Sequence, residues 1–222
     1  TLLAELQAAG HGAWIVGGAV RDALLGERPS DYDIATTALP DTILDRFAPQ
    51  AYPSGLAHGT VTVVRDELAV EITTLRQDGS YSDHRRPDSV AFVADLQADL
   101  ARRDFTINAM AWEPQRGLAD PFSGWQDLST RTLRAVGRPD QRFAEDALRI
   151  LRGLRFMARF ELTAEPETAA ALERNAHLLQ HIAWERLAAE RTGIVNAHDP
   201  LRAWDQPTAI WKQAWPLLWS AP

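Results

Sequence analysis

The sequence has no cysteine and a single lysine, Lys212, among its 222 residues. Without cysteine, disulfide frameworks, zinc ribbons and thiol nucleophiles are excluded. Long hydrophobic runs are also missing, since no segment approaches the ~20 apolar residues of a membrane helix, and no basic and then apolar leader opens the chain. Hydrophobic residues make up 45% and charged residues 24%, the balance of a globular protein. We therefore expect no membrane span, and a cytoplasmic location is compatible with this composition.

Basic charge is scarce on average but concentrated in one place. The net charge is −7, yet residues 131–159 contain eight arginines and only three acidic residues. Local charge decides where a polyanion binds, so this segment is a candidate phosphate- or RNA-binding region. Arginine supplies 22 of the 23 basic residues. This preference suits forked recognition of phosphates and bases, although a general compositional bias would produce it as well.

Hydrophobic patterning predicts strands in the first part of the chain and helices in the rest. We expect strands at residues 13–16, 31–36, 59–64, 68–75 and 89–93, and helices at 1–9, 19–26 and 42–47. The polar segment Asp78–Pro87 predicts a loop. Helical periodicity follows at residues 95–112, 141–160, 166–180 and 184–191. This order predicts an α+β fold in which a mixed β-sheet domain precedes a helical domain.

A glycine pair and three acidic residues form the first candidate site. Gly17–Gly18 ends a predicted strand and opens a helix, where backbone N–H groups approach an anion closely. Asp31 and Asp33 lie two apart on the next predicted strand, so both carboxylates are expected on one face. Glu71, in a neighbouring strand, is a third acid for that face. Paired carboxylates suit Mg²⁺, and a solvated strand edge is the alternative interpretation.

The segment Arg102–Asn108 is the second candidate site. Its two adjacent arginines, Arg102 and Arg103, are expected at the start of a helical turn, where they would clamp a triphosphate. The alternative interpretation is structural, because Asp104 is well placed in the sequence to cap that turn.

The third candidate is a polar stripe on a predicted helix. Asp146, Arg149, Arg152 and Arg155 recur every three residues, while apolar residues fill the other side. Residues three apart are neighbours on a helix surface, so we expect one continuous stripe. A ladder of surface ion pairs is the alternative interpretation.

Together these patterns resemble the class II tRNA nucleotidyltransferases, the family of the bacterial CCA-adding enzymes and their poly(A) polymerase relatives. The resemblance runs from about Trp14 to Glu190. Its motifs are, in order, GGAVRDALLG at 17–26 with Asp31 and Asp33, RRDFTINA at 102–109, Asp120–Gly124 with Asp127–Leu128, EDALRILR at 145–152, and Glu185–Arg186 with Glu190. Five motifs in this order are far more specific than any one of them alone.

The resemblance implies a polymerase-β-like nucleotidyltransferase head followed by an all-helical neck. We expect the catalytic head at 1–135, the nucleotide-selecting neck at 136–195 and a Trp-rich helical remnant of a body at 196–222. The family's helical body has no match after Glu190. Five of the eight tryptophans lie at 184, 204, 211, 215 and 219, and we expect them to form an aromatic core rather than a docking face.

The resemblance also implies metal-dependent nucleotidyl transfer. Asp31 and Asp33 would hold Mg²⁺, with Glu71 as a third catalytic acid. The expected nucleotide-binding residues are Gly17, Gly18, Arg21, Arg103, Asp104, Asn108, Asp146, Arg149, Arg152 and Arg155. Among them, Gly18, Arg21 and Arg103 would position the triphosphate.

Base choice without a template requires a hydrogen-bonding edge supplied by the protein. Asp146 accepts from an exocyclic amine and Arg149 donates to a ring nitrogen, the pattern that cytosine and adenine both offer. Uracil and guanine present the reverse pattern and would leave a charge unpaired. These two residues are therefore expected to select C and A.

The implied substrates are CTP and ATP, the implied partner is the 3′ acceptor end of tRNA, and neither DNA nor a membrane is expected. The segment Pro53–Val61 resembles CCA-adding enzymes more than poly(A) polymerases. The loop Asp78–Pro87 favours addition of CCA or of A, because CC-adding relatives lack such a loop. Addition of A alone, poly(A) synthesis, and a non-catalytic RNA- or nucleotide-binding module stay open as alternatives.

Overall fold

The computed structural model describes residues 1–81, 87–204 and 208–219. The chain forms two compact units. Unit 1 comprises Thr1–Gly79, Ser89–Arg103 and Ile107–Trp125, and unit 2 comprises Ser80–Asp88, Asp104–Thr106 and Gln126–Pro222. None of the described helices is long and apolar enough to cross a membrane.

Unit 1 is built on a mixed seven-stranded sheet. Its strands, in spatial order, are β3 (Ala51–Gly55), β4 (Thr60–Arg65), β5 (Leu68–Thr74), β2 (Asp33–Thr36), β1 (Ala13–Val16), β8 (Ala111–Glu113) and β9 (Gly117–Ala119). The β2–β5 pair is parallel and the other pairs are antiparallel. A separate antiparallel ribbon pairs β6 (Arg76–Asp78) with β7 (Val90–Phe92).

Alternating apolar residues place the core on one side of this sheet. Val61 and Val63 of β4 and Ile72 of β5 are fully buried, as strands of period two require. Helices α1 (Leu2–Ala8) and α3 (Pro40–Phe47) add buried side chains to the same cluster. At the β4–β5 hairpin, Asp66 and Glu67 both have positive φ, the geometry that a two-residue turn between twisted strands needs.

Two further α-helices of unit 1 follow β1 and precede the second motif, and a third begins in unit 1 after that motif and continues into unit 2. Helix α2 (Gly18–Leu24) starts directly after Gly17, and α4 (Leu96–Ala101) is capped by Asp95, whose side chain accepts from the backbone N–H of Gln97 at 2.9 Å. Helix α5 (Gly124–Ser129) begins where Asp120 accepts from the backbone N–H groups of Gly124 and Trp125.

The described residues of unit 2 form mainly helices and one short strand pair, β10 (Thr132–Leu133) with β11 (Thr163–Ala164). Its helices are α6 (Pro139–Glu145), α7 (Leu148–Phe160), α8 (Pro166–Asn175), α9 (Trp184–Val195), α10 (Leu201–Trp204) and α11 (Thr208–Trp219). Helix α7 is central, with Ile150, Leu151 and Leu154 fully buried. Phe105, also in unit 2, packs on Phe156 with ring centroids 5.9 Å apart.

The structure corrects four of the expected elements. Strand β2 begins at Asp33 rather than at residue 31, the helix expected at 95–112 ends at Ala101, and its last residues form β8. The helix expected at 141–160 is two helices, α6 and α7. The helix expected at 166–180 ends at Asn175. The strand expected at 89–93 is confirmed as β7, which pairs with β6, and β9 has no counterpart among the predictions.

The predicted loop Asp78–Pro87 is only partly described, because its residues 82–86 lie outside the described residues. The tryptophans were expected to pack in a core. In the Trp-rich segment, Trp211 is 8% exposed and its indole N–H donates to the carbonyl oxygen of Ala203 at 2.9 Å. Trp211 is therefore a packed core side chain, as the core interpretation predicted.

Candidate functional site

Two acidic residues of unit 1 stand side by side because their strands are parallel. The register of β2 and β5 pairs Asp33 with Glu71. Asp31 lies two residues before β2, where its Oδ2 accepts from the hydroxyl of Ser30 at 3.0 Å. The prediction that Asp31 and Asp33 lie on one strand face is therefore wrong, because Asp31 lies outside β2, in the segment that precedes it.

The three carboxylates nevertheless influence one another. Burial raises the pKa of Asp33, Arg103 opposes this, and Asp31 raises it further. Burial likewise raises the pKa of Glu71, and the charges of Asp33 and Asp31 add to that rise. Carboxylates that repel one another in this way are relieved when a cation binds among them.

This donor set fits a divalent cation that brings other ligands with it. Oxygen donors are the ligands of Mg²⁺, which usually takes only one or two protein carboxylates and completes its shell with water and substrate phosphates. In the part of the chain that the structure describes, no three His, Cys, Asp or Glu side chains form a ready-made metal site. Asp31 and Asp33 could therefore hold a metal together with a phosphate-bearing ligand.

A glycine makes room for an arginine next to these acids. Gly17 has φ +68°, and a β-carbon there would lie 2.9 Å from Nη1 of Arg103. The Nη2 atom of Arg103 donates to Oδ2 of Asp99 at 3.3 Å. Its buried Nε–H has no hydrogen-bond partner among the described residues, and burial lowers the pKa of this guanidinium. An unsatisfied buried donor on a cation is a ready contact for an anion.

Asp99 holds both arginines of the second motif. Its Oδ1 accepts from Nε and Nη2 of Arg102 at 3.0 and 2.8 Å. Although burial opposes the effect, Arg102 and Arg103 keep the pKa of Asp99 below its ordinary value. Because Arg102 caps the end of α4, the prediction that this arginine pair starts a helix is wrong. Asp99 was missed, but its spacing of three and four residues from the arginines is the helical signal that would have found it.

Arg21 and Asn108 lie in the interior of unit 1. Nη1 of Arg21 donates to Oδ1 of Asn108 at 2.5 Å, and its Nε and Nη2 donate to Oδ1 of Asp22 at 2.8 and 2.6 Å. A β-carbon on Gly18 would lie 3.4 Å from the same guanidinium. These contacts place the Arg21 guanidinium next to Gly18, and its role in positioning a triphosphate stays a prediction.

Unit 2 contains the third candidate, and its first member is not on a helix. Asp146 ends α6 in an extended conformation, so the prediction of one continuous helical stripe is wrong at this residue. Its Oδ1 accepts from the backbone N–H of Leu148 at 3.1 Å, which caps the start of α7. Its Oδ2 accepts from Nη2 of Arg186 at 2.8 Å.

Arg149 has a different acidic partner. Its Nη1 donates to Oε2 of Glu145 at 2.9 Å and to the carbonyl oxygen of Arg142 at 3.1 Å. The backbone N–H of Arg149 donates to the carbonyl oxygen of Asp146 at 3.0 Å. Asp146 and Arg149 are thus joined by a backbone hydrogen bond, but their side chains pair with different residues, Arg186 and Glu145.

The other two arginines of the stripe are also paired. Arg152 donates to Oδ2 of Asp104, with Nε at 2.8 Å, and Asp104 raises the pKa of that guanidinium. Arg155 donates to Oε2 of Glu190 at 2.7 Å. Both guanidinium carbons lie over the ring of Phe156, at 5.3 and 4.5 Å from its centroid.

The excess of arginine at residues 131–159 is largely neutralised within the protein. At least six of its eight arginines form ion pairs with described residues, namely Arg131, Arg134, Arg142, Arg149, Arg152 and Arg155. The formal charge of the segment therefore overstates the free positive charge that an RNA would meet.

Two family models match the chain. The family described as "Poly A polymerase head domain" matches residues 13–134, and the one described as "Probable RNA and SrmB- binding site of polymerase A" matches residues 161–206. The first of these matches covers more than half of the chain.

Two CCA-adding enzymes match most of this chain. A CCA-adding enzyme of Geobacillus thermodenitrificans is 47% identical over 189 residues, which are 85% of this chain and 46% of that protein. The crystal structure of the Bacillus stearothermophilus CCA-adding enzyme in complex with CTP is 39% identical with a TM-score of 0.78, and the match covers 99% of this chain and 50% of that one.

A third similar structure is that of a tRNA nucleotidyltransferase complexed with a primer tRNA and an incoming ATP analog. It is 28% identical with a TM-score of 0.77, and the match covers 99% of this chain and 62% of that one. The chain thus spans about half the length of the curated relatives it matches.

Proposed function

The chain belongs to the poly(A) polymerase head-domain family of class II tRNA nucleotidyltransferases, and we propose that it adds C, A or both to the 3′ end of tRNA without a nucleic-acid template. The observation that supports this most directly is the pairing of Asp33 with Glu71 beside Arg103, whose buried Nε–H has no hydrogen-bond partner among the described residues. Acids and an unsatisfied cation together suit a metal-bound triphosphate. CTP, ATP and tRNA are proposed as substrates from the complexes of the similar structures.

Enzymes of this family use divalent metal ions, and we infer that the ion here is Mg²⁺. Asp31 and Asp33 would hold it, with Glu71 as the neighbouring acid whose charge adds to the pull on a cation. When bound, such an ion lowers the pKa of the attacking hydroxyl and neutralises charge on the phosphates. Glu71 and Asp33 are thereby proposed as the residues that set the electrostatic potential around the reacting atoms.

The chain's own residues bind and orient the triphosphate. In the proposed reaction the 3′-hydroxyl oxygen of tRNA forms a bond to the α-phosphorus while the bond to the pyrophosphate oxygen breaks. Arg103 donates to the triphosphate through the Nε–H that Asp99 leaves free, and Gly17 leaves the space that this approach needs. Arg21 and Asn108 are proposed as positioning residues, because they hydrogen-bond to each other and the Arg21 guanidinium lies next to Gly18.

The base is proposed to be read by Asp146 and Arg149 of unit 2. Asp146 accepts from the exocyclic amine and Arg149 donates to the unprotonated ring nitrogen of cytosine or adenine. Each must exchange its present partner, Arg186 or Glu145, for the base edge. A mismatched base would leave a desolvated charge without a partner, which is the costly kind of error. Arg152 and Arg155, held by Asp104 and Glu190, are proposed as phosphate- and sugar-side contacts.

The experiment measures nucleotide binding and transfer separately. The melting temperature of the 222-residue chain is recorded with CTP, ATP, UTP or GTP, each with and without Mg²⁺. We expect CTP and ATP to raise it only when Mg²⁺ is present. Radiolabelled CTP or ATP is then incubated with and without tRNA, and label should appear only in tRNA. Label in the protein would instead indicate a protein-modifying nucleotidyltransferase, and metal-independent stabilisation would indicate a non-catalytic nucleotide binder.

A further inference from the structure

A polar cavity lies in unit 1, at the opposite end of β1 from Asp33 and Glu71. It has a volume of about 340 Å³, within the range of small-ligand sites. Strand β1 runs from Ala13, in the cavity wall, to Val16, which pairs with Asp33. Three strand steps amount to about 10 Å, so this cavity is separate from the proposed nucleotide site. The side chains of its wall that matter here are Gln7, His11, Trp14, Glu113, Gln115 and Arg116.

Glu113 is a buried carboxylate with one oxygen satisfied and the other available. Its side chain is 7% exposed. Oε2 accepts from Nε2 of Gln7 at 3.2 Å and from the backbone N–H of Gln115 at 3.3 Å. Oε1 receives no hydrogen bond from any described residue; its nearest cation is Nε of Arg116, at 3.7 Å. Because the rest of this side chain is buried, Oε1 can accept a hydrogen bond from a cationic donor in the cavity, and such charge-assisted bonds are the strong ones.

Arg116 interacts only weakly with Oε1 of Glu113. The side chain of Arg116 is 85% exposed and its Nε lies beyond hydrogen-bond distance of Oε1. Exposed ion pairs of this kind contribute little to stability. A ligand that delivers an N–H donor directly to Oε1 would therefore displace Arg116 at small cost.

Trp14 supplies an aromatic surface in the same wall. A β-carbon on Gly12 would overlap the six-membered ring of Trp14, so the glycine lets the indole lie against the backbone and fixes its orientation. An organic cation is attracted to the face of an indole, and this attraction grows when water is excluded. A carboxylate beside a fixed indole is the combination that recognises an alkylammonium group.

We propose that this cavity binds a primary alkylammonium group, which pairs with Oε1 of Glu113 beside the Trp14 ring. A divalent metal ion is a poorer fit, because Glu113 belongs to no group of three metal-ligating side chains among the residues described. Such an ammonium group occurs in free diamines and in lysine side chains of peptides. The chain's net charge of −7 favours the approach of either.

The test is calorimetric titration of the full 222-residue chain with putrescine at low ionic strength and pH 8, and separately with a short peptide containing one lysine. We expect saturable binding of at least one of them. Glu113→Gln should weaken it at least tenfold, and Arg116→Ala should tighten it about threefold by removing the competing cation. Glu27→Gln, an exposed change of the same charge, is the matched control and should leave affinity unchanged.

Because Glu113 is buried, its variant is first checked by its melting temperature. If Glu113→Gln does not fold, Arg116→Ala decides, since that side chain is exposed. Tighter binding by Arg116→Ala supports the site. Absence of saturable heat with both ligands, wild-type affinity in folded Glu113→Gln, or weaker binding in Arg116→Ala would overturn it.

Discussion

Arg103 lies against Gly17, with its Nη1 atom 2.9 Å from the point that a β-carbon on residue 17 would occupy. The same arginine is anchored by Asp99 on one side and leaves its Nε–H without a partner among the described residues. The lack of a side chain at residue 17 thus leaves room for the Arg103 guanidinium, whose charge acts on Asp33. This relationship connects the glycine pair of the first motif to the arginine pair of the second.

Gly17→Ala should lower the affinity for CTP and ATP at least tenfold, because the methyl group displaces the Arg103 guanidinium. The substitution also strains a backbone with φ +68° and ψ −129°, a conformation outside the left-handed helical region, at a cost of about 1–3 kcal/mol. Gly26→Ala is the matched control, since Gly26 has φ +76° and no atom within 4 Å of its β-carbon position. Nucleotide titrations and melting temperatures of both variants separate the two effects. Equal loss of affinity in both variants would show that strain alone is responsible.

Asp33→Asn should stabilise the fold while it abolishes transfer. Burial and Asp31 raise the pKa of Asp33, so the folded state holds the proton more tightly than the unfolded state. Wild-type stability then falls as pH rises from the ordinary pKa of aspartate, about 4, through the raised value. The gain in Asp33→Asn should therefore be larger at pH 7 than at pH 4. Burial of Asp33 is only partial, since much of its surface still reaches solvent. Solvent therefore screens its charge, and we expect a gain of about 0.5 kcal/mol at pH 7, or about 1–2 °C in Tm.

Glu71→Gln should show the same pH dependence, because the charges of Asp33 and Asp31 add to the rise in its pKa. Asp45→Asn, on the exposed surface of α3, controls for the loss of a negative charge. Thermal unfolding at a series of pH values is the measurement. A Tm for Asp33→Asn that falls below wild type at pH 7 would contradict the electrostatic account, as would near wild-type transfer in that variant.

Arg149→Ala should relax base selection more than it weakens binding. A bidentate base contact is worth about 1–3 kcal/mol, so discrimination against UTP and GTP should fall about tenfold to a hundredfold. Arg152→Ala, one turn further along α7, is the comparison and should weaken all four nucleotides alike. The measurement is kcat/KM for each nucleotide on tRNA ending in CC or lacking CCA. A uniform decrease for Arg149→Ala would identify this residue as a phosphate contact instead.

The pair Arg155–Glu190 should contribute measurably to the stability of unit 2. Glu190 is 7% exposed, and its Oε2 accepts from Arg155 at 2.7 Å. Glu190→Gln should cost about 1–3 kcal/mol, or about 2–4 °C in Tm for each kcal/mol. Asp140→Asn is the control and should change Tm little, because Asp140 and Arg174 are half exposed and solvent screens such pairs.

Gly193→Ala offers an independent way to break the same pair. A β-carbon at residue 193 would overlap the side chain of Arg155, so Arg155 must move away from Glu190. If both changes remove one interaction, the effects of Gly193→Ala and Glu190→Gln should not add in the double variant. Additive losses would show that Gly193 acts through helix packing alone.

The sequence predicted well wherever one short-range signal dominated. Ala13–Val16 was predicted to the residue because a glycine on each side delimits a short apolar run. The β4–β5 hairpin was predicted from two β-rich runs around a polar turn. The parallel register that sets Glu71 beside Asp33 was expected only as a shared face, since the pairing of distant strands is not encoded by local periodicity.

The errors arose where tertiary contacts override local pattern. Ala111–Glu113 continues a helical periodicity, yet it forms a strand that pairs with β1 on one side and β9 on the other. Asp146 matches the three-residue spacing of the stripe, but its carboxylate caps α7 and so ends the preceding helix. The partners of the arginines, Glu145 and Glu190, lie in motifs that the sequence did reveal, whereas their pairing required the packed structure.

The most direct test of the central claim is the sequence of the product ends. The 222-residue chain is incubated with tRNA that lacks CCA, ends in one C or ends in CC, in the presence of Mg²⁺ and either CTP, ATP, UTP or GTP alone or CTP and ATP together. Asp33→Asn is run in parallel, and the 3′ ends are sequenced. The account predicts that wild-type protein adds C, A or both in the order that completes CCA, and that Asp33→Asn adds nothing. Failure of folded wild-type protein to extend any of the three tRNAs, or extension with U or G as efficient as with C or A, would contradict it.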